Sequence, residues 1–317
     1  MNLCEKLKSE YAQLETLKQE FETAFDEAVK TGNTEKAKQL KTEIQEKLKS
    51  LKEKIVPREI KAIFINPETS EQKEITINIQ EKIQEAQEFY KKHNLPIPNE
   101  QELMSVWRKN HKEIKEEIEK YGYDNVLIIP ENLPDTENLN GIMTEGYGNA
   151  TYQSSNFTGG GGFSGAKHTE NTKAKIILCH NDQDIYDNVN ANAFEKATLN
   201  KNILQLSGLT QSELEKKIQN QENIPINFEI QINNQKIQIE AEGLSLNEYL
   251  IFQRQYFEKN QKHLDEKGYT WLLKTFSASR VVNSSWSSDG AQLRVVAIDL
   301  DDSFGDLACR LSRSFSN

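Results

Sequence analysis

After Lys274 the chain has no lysine, no glutamate and no methionine, although lysine and glutamate are abundant throughout the preceding residues. The residues of this tail are therefore sorted by a different rule from the rest. Cysteine is also scarce. Cys4, Cys179 and Cys309 are too few and too widely spaced for a disulfide framework or a zinc site. No apolar run approaches the roughly 20 residues that a bilayer-spanning helix needs. The opening MNLCEKLKSE lacks the pattern of a signal peptide. A cytoplasmic protein with no membrane contact is expected, with surface display by another route left open. In that setting the sequons at Asn149, Asn156 and Asn283 carry no weight, because glycosylation requires secretion. Positive charge is in deficit: the net charge is −10 and the pI about 5.2. With no basic stripe to offset it, a nucleic-acid partner is not expected.

What is present divides the chain into three parts. Residues 1–56 read as helix. Leu7, Leu14, Phe21 and Ala28 recur every seven residues, with Leu3, Leu17 and Ala24 on companion positions. Thr31-Gly32-Asn33 signals a turn, and Asn33 or Thr34 can cap a second helix that carries Ala37, Leu40, Ile44, Leu48, Leu51 and Ile55 on one stripe. A helical hairpin or an oligomerising coiled coil satisfies this pattern. Residues 57–135 predict a small α/β region. Two alternating strands, Ile60 to Ile65 and Glu74 to Ile79, flank Asn66-Pro67-Glu68. A helix follows from Ile79, another is capped by Asn99 and carries a core Trp107, and Val126 to Ile129 reads as a buried strand.

Residues 136–317 begin with little signal. Gly160 to Gly165 spells GxGxxG, but no strand leads into it and no helix follows, so it fails the context of a dinucleotide fingerprint. No cofactor and no metal are implied. Ile176 to Cys179 predicts a strand, and the adjacent His180 invites a nucleophile–base reading. Neighbours on a strand face opposite sides, so a buried thiol beside an exposed histidine is the expectation. Phe228 to Glu240 forms two alternating stretches around Asn233-Asn234, a hairpin signal. Leu244 to Gln261 is an amphipathic helix that Ser245 can cap. Short strands separated by Ser/Asp/Gly loops then run from Tyr269 through Ser279-Arg280-Val281-Val282, Trp286 and Leu293 to Ile298 to Ala308-Cys309-Arg310-Leu311-Ser312-Arg313.

LSLNEYLIFQRQYFEKNQKHLDEKGYTWL, followed by SRVVNSSWSSDGAQLRVVA and ACRLSRSF, resembles the variable proteins of diversity-generating retroelements, in particular forms from uncultured small-genome bacteria. The resemblance is densest over residues 244–317 and extends more loosely to NVLIIPENLP and NATYQSSNFTGGGGFSGAK. It implies an α+β chain whose residues 136–317 form a C-type lectin-like domain with inserted loops, the fold shared with formylglycine-generating enzymes. The diversified segment would be about residues 275–317. Adenine-directed mutagenesis of AAC or AAT codons yields codons ending in a pyrimidine, which cannot encode Lys, Glu, Gln, Met or Trp. That accounts for much of the gap; an ordinary serine-rich binding loop is the plain alternative.

The resemblance, together with strand alternation, implies two residue sets. Trp271, Arg280, Trp286, Gln292, Leu293, Val295, Cys309, Arg310 and Arg313 would be constant scaffold. Asn283, Ser285, Ser287, Ser288, Arg294, Val296, Ile298, Asp299, Leu300, Asp302, Phe304, Gly305 and Asp306 would form the variable, outward surface. Trp286 is followed by Ser287-Ser288-Asp289, not the Trp-Asn-Asp run of calcium-dependent sugar sites. The segment also holds no paired cysteines or acid/base set for the enzymatic chemistry of the fold's relatives. The expected function is non-enzymatic recognition of a macromolecular ligand, a protein by preference, with the N-terminal helices as a tether or as a means of self-association. An enzyme using the Gly-rich loop and Cys179 or His180, and a structural coiled-coil adaptor, are the alternatives.

Overall fold

A computed structural model describes residues 3–32, 34–55, 57–153, 163, 166–168, 173–186 and 192–317. The Gly-rich run lies outside these residues apart from Phe163, which is buried. The chain is mixed α+β with several sheets, and its contacts divide it into two compact units, Met1–Arg58 and Glu59–Asn317.

The first unit consists of α1 (Leu3–Thr31) and α2 (Glu35–Ile55). Gly32 ends α1 in the left-handed region, at φ 74°, and its amide reaches Ala28 O at 2.8 Å. Leu17, Ala24 and Ala28 are buried, and Phe21 and Leu40 pack against the alanines. Side chains of Leu3, Leu7, Leu14, Ala37, Leu48, Leu51 and Ile55, and Asn33 itself, lie outside the described residues.

The second unit starts with the antiparallel pair β1 (Glu59–Ile65) and β2 (Gln72–Asn78). Ile60, Ala62 and Phe64 of β1 face inward by strict alternation. Asn78 caps α3 (Ile79–Lys92), and Asn99 caps α4 (Glu100–Tyr121), which Gly122 closes at φ 76°. Then come β3 (Asn125–Ile129), α5 (Thr136–Met143), β4 (Tyr152–Gln153), β5 (Lys167–His168) and β6 (Lys175–Cys179). The stretch with little sequence signal folds into α6 (Ala193–Lys196), α7 (Ile203–Ser207) and α8 (Gln211–Gln219). Capping boxes start α7 at Asn202 and α8 at Thr210. The hairpin of β7 (Pro225–Ile232) and β8 (Gln235–Glu242) turns at Asn233 and Asn234, both at positive φ, as expected for that pair. Ser245 caps α9 (Leu246–Asn260) through a full capping box with Glu248.

The tail builds β9 (Tyr269–Ser277), β10 (Arg280–Ser287), β11 (Gln292–Ile298), β12 (Leu307–Ala308) and β13 (Ser312–Ser316). A six-stranded sheet runs β12-β9-β10-β11-β4, with β5 beside β9. A five-stranded sheet runs β3-β6-β13-β8-β7. The continuous terminal strand expected from Ala308 to Arg313 is instead two strands in two different sheets. The crossing falls at Cys309, Arg310 and Leu311, whose amides turn to side chains: Thr198 Oγ1 at 2.8 Å, Thr270 Oγ1 at 3.2 Å and Glu195 Oε1 at 3.0 Å. These bonds satisfy a buried, irregular backbone that no ladder serves. Among the described residues, no helix is long and apolar enough to cross a membrane.

Candidate functional site

The tail separates a buried frame from an exposed rim. In β11, Leu293, Val295 and Ala297 are fully buried, while Arg294 and Val296 between them are half-buried. Register fixes the matching face of β10: Val282, Ser284 and Trp286 stand opposite Ala297, Val295 and Leu293. Trp286 stacks on His263, with ring centroids 3.4 Å apart, and meets the edge of Tyr147. Trp271 is fully buried and donates its indole N–H to Lys201 O at 3.2 Å. Gln292 is half-buried and pairs with Ser287.

The arginines differ in role. Arg310 is 1% exposed; its Nη1 and Nη2 donate to the carbonyls of Asp182 and Gln183, and its Nε and Nη2 to the Asp265 carboxylate. Burial alone would lower its pKa, but the Asp265 charge more than offsets this, and the guanidinium stays protonated. Arg280 pairs with Asp299 at 2.9 Å, and Arg313 with Glu113 at 3.0 Å, both at the surface. Cys309 is fully buried and its thiol pKa is pushed up by desolvation.

The outward set needs four corrections. Asn283 and Ser285, expected at the surface, are buried at 1% and 4% exposure. They share a face with Val296 and Arg294, but β10 lies inside the sheet, and Asn283 is also paired with Trp271, whose indole docks on the segment carrying Lys201. On that face Trp271, Asn283, Ser285 and Ile298 are buried, while Ser287, Arg294 and Val296 are half-buried. Ile298 and Leu300 are buried as well; Leu300 lines a cleft of about 190 Å³ with Leu204, Gln211 and Glu215. The exposed rim contains Ser288, Asp299, Asp302, Phe304 and Gly305, with Ser287, Arg294, Val296 and Asp306 half-buried. Four further exposed residues belong beside it. Asp301 and Ser303 stand in the same loop, Tyr152 is in register with Arg294, and Tyr186 packs on Gly268 next to the Asp306 carbonyl. The two tyrosines lie more than a hundred and more than eighty positions upstream of the residues they adjoin, as their numbering shows, and only the folded chain brings them here.

Cys179 and His180 form a different environment. His180, expected to be exposed, is 3% exposed, because its ring packs 4.9 Å from that of the buried Tyr123. Its Nε2 has no hydrogen-bond partner among the described residues, and burial lowers its pKa to about 4. It borders a cleft of about 420 Å³ that also includes Phe64, Lys73, Gly122 and Asp124. Cys179 is fully buried; desolvation raises its thiol to about 12, and its sulfur accepts only a long bond from Asn125 among the hydrogen bonds of the described residues. A thiolate is therefore disfavoured near neutrality. No family model matches the sequence, no curated protein matches it, and no solved structure matches the fold.

Proposed function

We propose that the chain is a variable protein of a diversity-generating retroelement. In this reading the C-terminal part of the second unit is a C-type lectin-like domain without enzymatic activity, which binds a macromolecular ligand, a protein, through its rim. One observation carries the reading. The segment that lacks lysine, glutamate and methionine combines fully buried Leu293, Val295 and Ala297 on β11 with an exposed rim at 288, 299 and 301–305 in the flanking loops. A stable frame that leaves these side chains outside lets recognition change while folding does not. Recognition would concentrate in a few anchors, with Phe304, Arg294 and the adjoining Tyr152 and Tyr186 as candidates.

The decisive test is the DNA around the coding region. The reading expects a near-identical repeat of the tail that differs only opposite adenines, beside a reverse transcriptase gene. A locus with neither contradicts it. The first unit would add avidity: Phe25 and Val29 of α1 are 53% and 71% exposed and offer an apolar contact to a second copy. Sedimentation of Phe25→Glu/Val29→Glu should then give a smaller species than the unaltered chain; identical masses contradict self-association through this face. A second reading, an enzyme acting at the cleft beside His180, draws on the Nε2, which has no hydrogen bond among the described residues. Ligand capture that survives Cys179→Ala/His180→Ala opposes that reading.

A further inference from the structure

Beside the side-chain anchors Asp299, which pairs with Arg280, and the buried Leu300, the two loops that flank β11 are held through their peptide groups. In the loop from Asp299 to Leu307, five carbonyls are engaged by residues outside the Lys/Glu-free tail. Asn202 Nδ2 donates to Asp301 O at 3.2 Å. Asn200, with its amide nitrogen turned toward the loop, reaches Phe304 O at 3.0 Å and Gly305 O at 2.7 Å. The opposite orientation would set oxygen against oxygen, so the network assigns the donor. The Asn200 amide N–H donates to Leu307 O at 3.0 Å, and that of Tyr269 to Asp306 O at 2.8 Å. A Cβ on Gly268 would lie 2.6 Å from Asp306 O, so this approach requires glycine. Asn200 itself adopts φ 61°, which asparagine tolerates better than most residues.

The turn between β10 and β11 repeats the device. Asn149 donates its backbone N–H to Ala291 O at 3.0 Å and its side-chain Nδ2 to Gly290 O. Gly148 leaves no room for a side chain, since a Cβ there would stand 2.7 Å from that of Ala291. At Gly305, by contrast, φ is not left-handed and an added Cβ meets nothing nearer than 3.7 Å, so a side chain fits. The loop side chains at Asp301, Asp302, Ser303 and Phe304 are exposed. Every carbonyl offers the same acceptor whatever side chain its residue carries.

We propose that Asn149, Asn200 and Asn202, with Gly148 and Gly268, are positioning residues that clamp the main chain of both loops, so that the course of each loop does not depend on the exposed side chains at 288–289 and 301–305. The inference rests on the recognition reading above and adds to it which residues, outside the exchanged segment, set the geometry of the rim.

The test is amide hydrogen exchange on the full chain without ligand, comparing two variants. Asn200→Gly/Asn202→Ser removes the two side-chain donors, while glycine keeps the φ and the backbone N–H and serine keeps the α7 cap. Asp302→Ala/Ser303→Ala/Phe304→Ala/Gly305→Ala changes the side chains instead, truncating three and adding a methyl at the fourth. The clamp predicts that amides 302 and 307 exchange about ten-fold faster or more in the first variant, as expected for several lost hydrogen bonds. In the second they should stay within about two-fold, with β10 and β11 amides unchanged in both. Unaltered exchange in the first variant, or equal acceleration in the second, overturns the proposal. A retained clamp on a locus without a template repeat would sink the retroelement reading alone; a lost clamp beside such a repeat would sink only this inference.

Discussion

Arg310 and Asp265 face each other as a two-pronged ion pair inside the second unit, with Nε to Oδ2 at 3.1 Å and Nη2 to Oδ1 at 2.8 Å. The same guanidinium ties the carbonyls of Asp182 and Gln183, and Asp265 Oδ2 also accepts the Tyr249 hydroxyl at 3.0 Å. The pair thus fastens the crossing between the two sheets to the loop that follows α9. Removing one partner leaves the other charge buried. Arg310→Ala should cost about 3–5 kcal/mol in chemical denaturation. Arg310→Lys should recover only part of it, because an ammonium lacks the planar fork. Loss below about 1 kcal/mol for alanine would show that the pair is not structural.

Glu248 is 2% exposed and sits between Lys175 and Lys274. Burial would raise its pKa, but the two ammonium groups and the Ser245 amide outweigh that and hold it at about 2, below its ordinary 4.5. The folded state therefore binds this proton less readily than the unfolded chain. Its contribution is complete above about pH 4.5 and fades as pH falls toward 2. Glu248→Gln should be less stable at pH 7 and should flatten the stability profile between pH 4.5 and 2. A profile in that window unchanged by the substitution would contradict this.

His180 acts in a higher window. Its folded pKa of about 4 lies below the ordinary 6.5, so folding favours the neutral ring. Stability from this group is complete above about pH 6.5 and is lost as pH falls to 4, the unfolded chain taking up the proton first. Burial likewise lowers His263, stacked on Trp286, to about 4. Ring NMR shifts should report a neutral His180 at pH 5, and His180→Phe should reduce the slope of stability between pH 6.5 and 4. A ring that titrates near 6.5 would show that it is open to water.

The elements of the second unit were largely legible because their signals are local. Asn99, Ser245 and the Asn233-Asn234 turn work through neighbours in the chain, and the alternation of Leu293, Val295 and Ala297 named the buried face of β11. The capping pattern of Thr210 with Glu213 was equally available as a sign of α8. Burial set by distant segments was not legible. A period of two assigns Asn283 and Ser285 to a face but cannot say that Trp271, in register with Asn283, docks that face on the segment carrying Lys201. Polar side chains there read as solvent-facing. His180 was misjudged for the same reason, since its cover comes from Tyr123. Cys309 to Leu311 read as strand because their amides' acceptors, Thr198, Thr270 and Glu195, lie 40 to 116 positions away. The sequon at Asn149 and the capping pattern at Asn202 say nothing of this role, and Asn200 carries no motif; only their contacts with carbonyls across the chain give it to them.

The central claim, a constant frame with an exchangeable rim, is tested most directly by a substitution scan of residues 281–307 scored by resistance to proteolysis, which reports folding without any ligand. Ser288, Asp302, Phe304 and Gly305 should accept most residues with shifts within about 0.5 kcal/mol. Val282, Leu293, Val295, Ala297 and Leu300 should reject polar residues, and Leu→Ala at 293 or 300 should cost about 2–5 kcal/mol. Equal sensitivity at Phe304 and Leu293, or free replacement at Val295 and Leu300, would contradict the account.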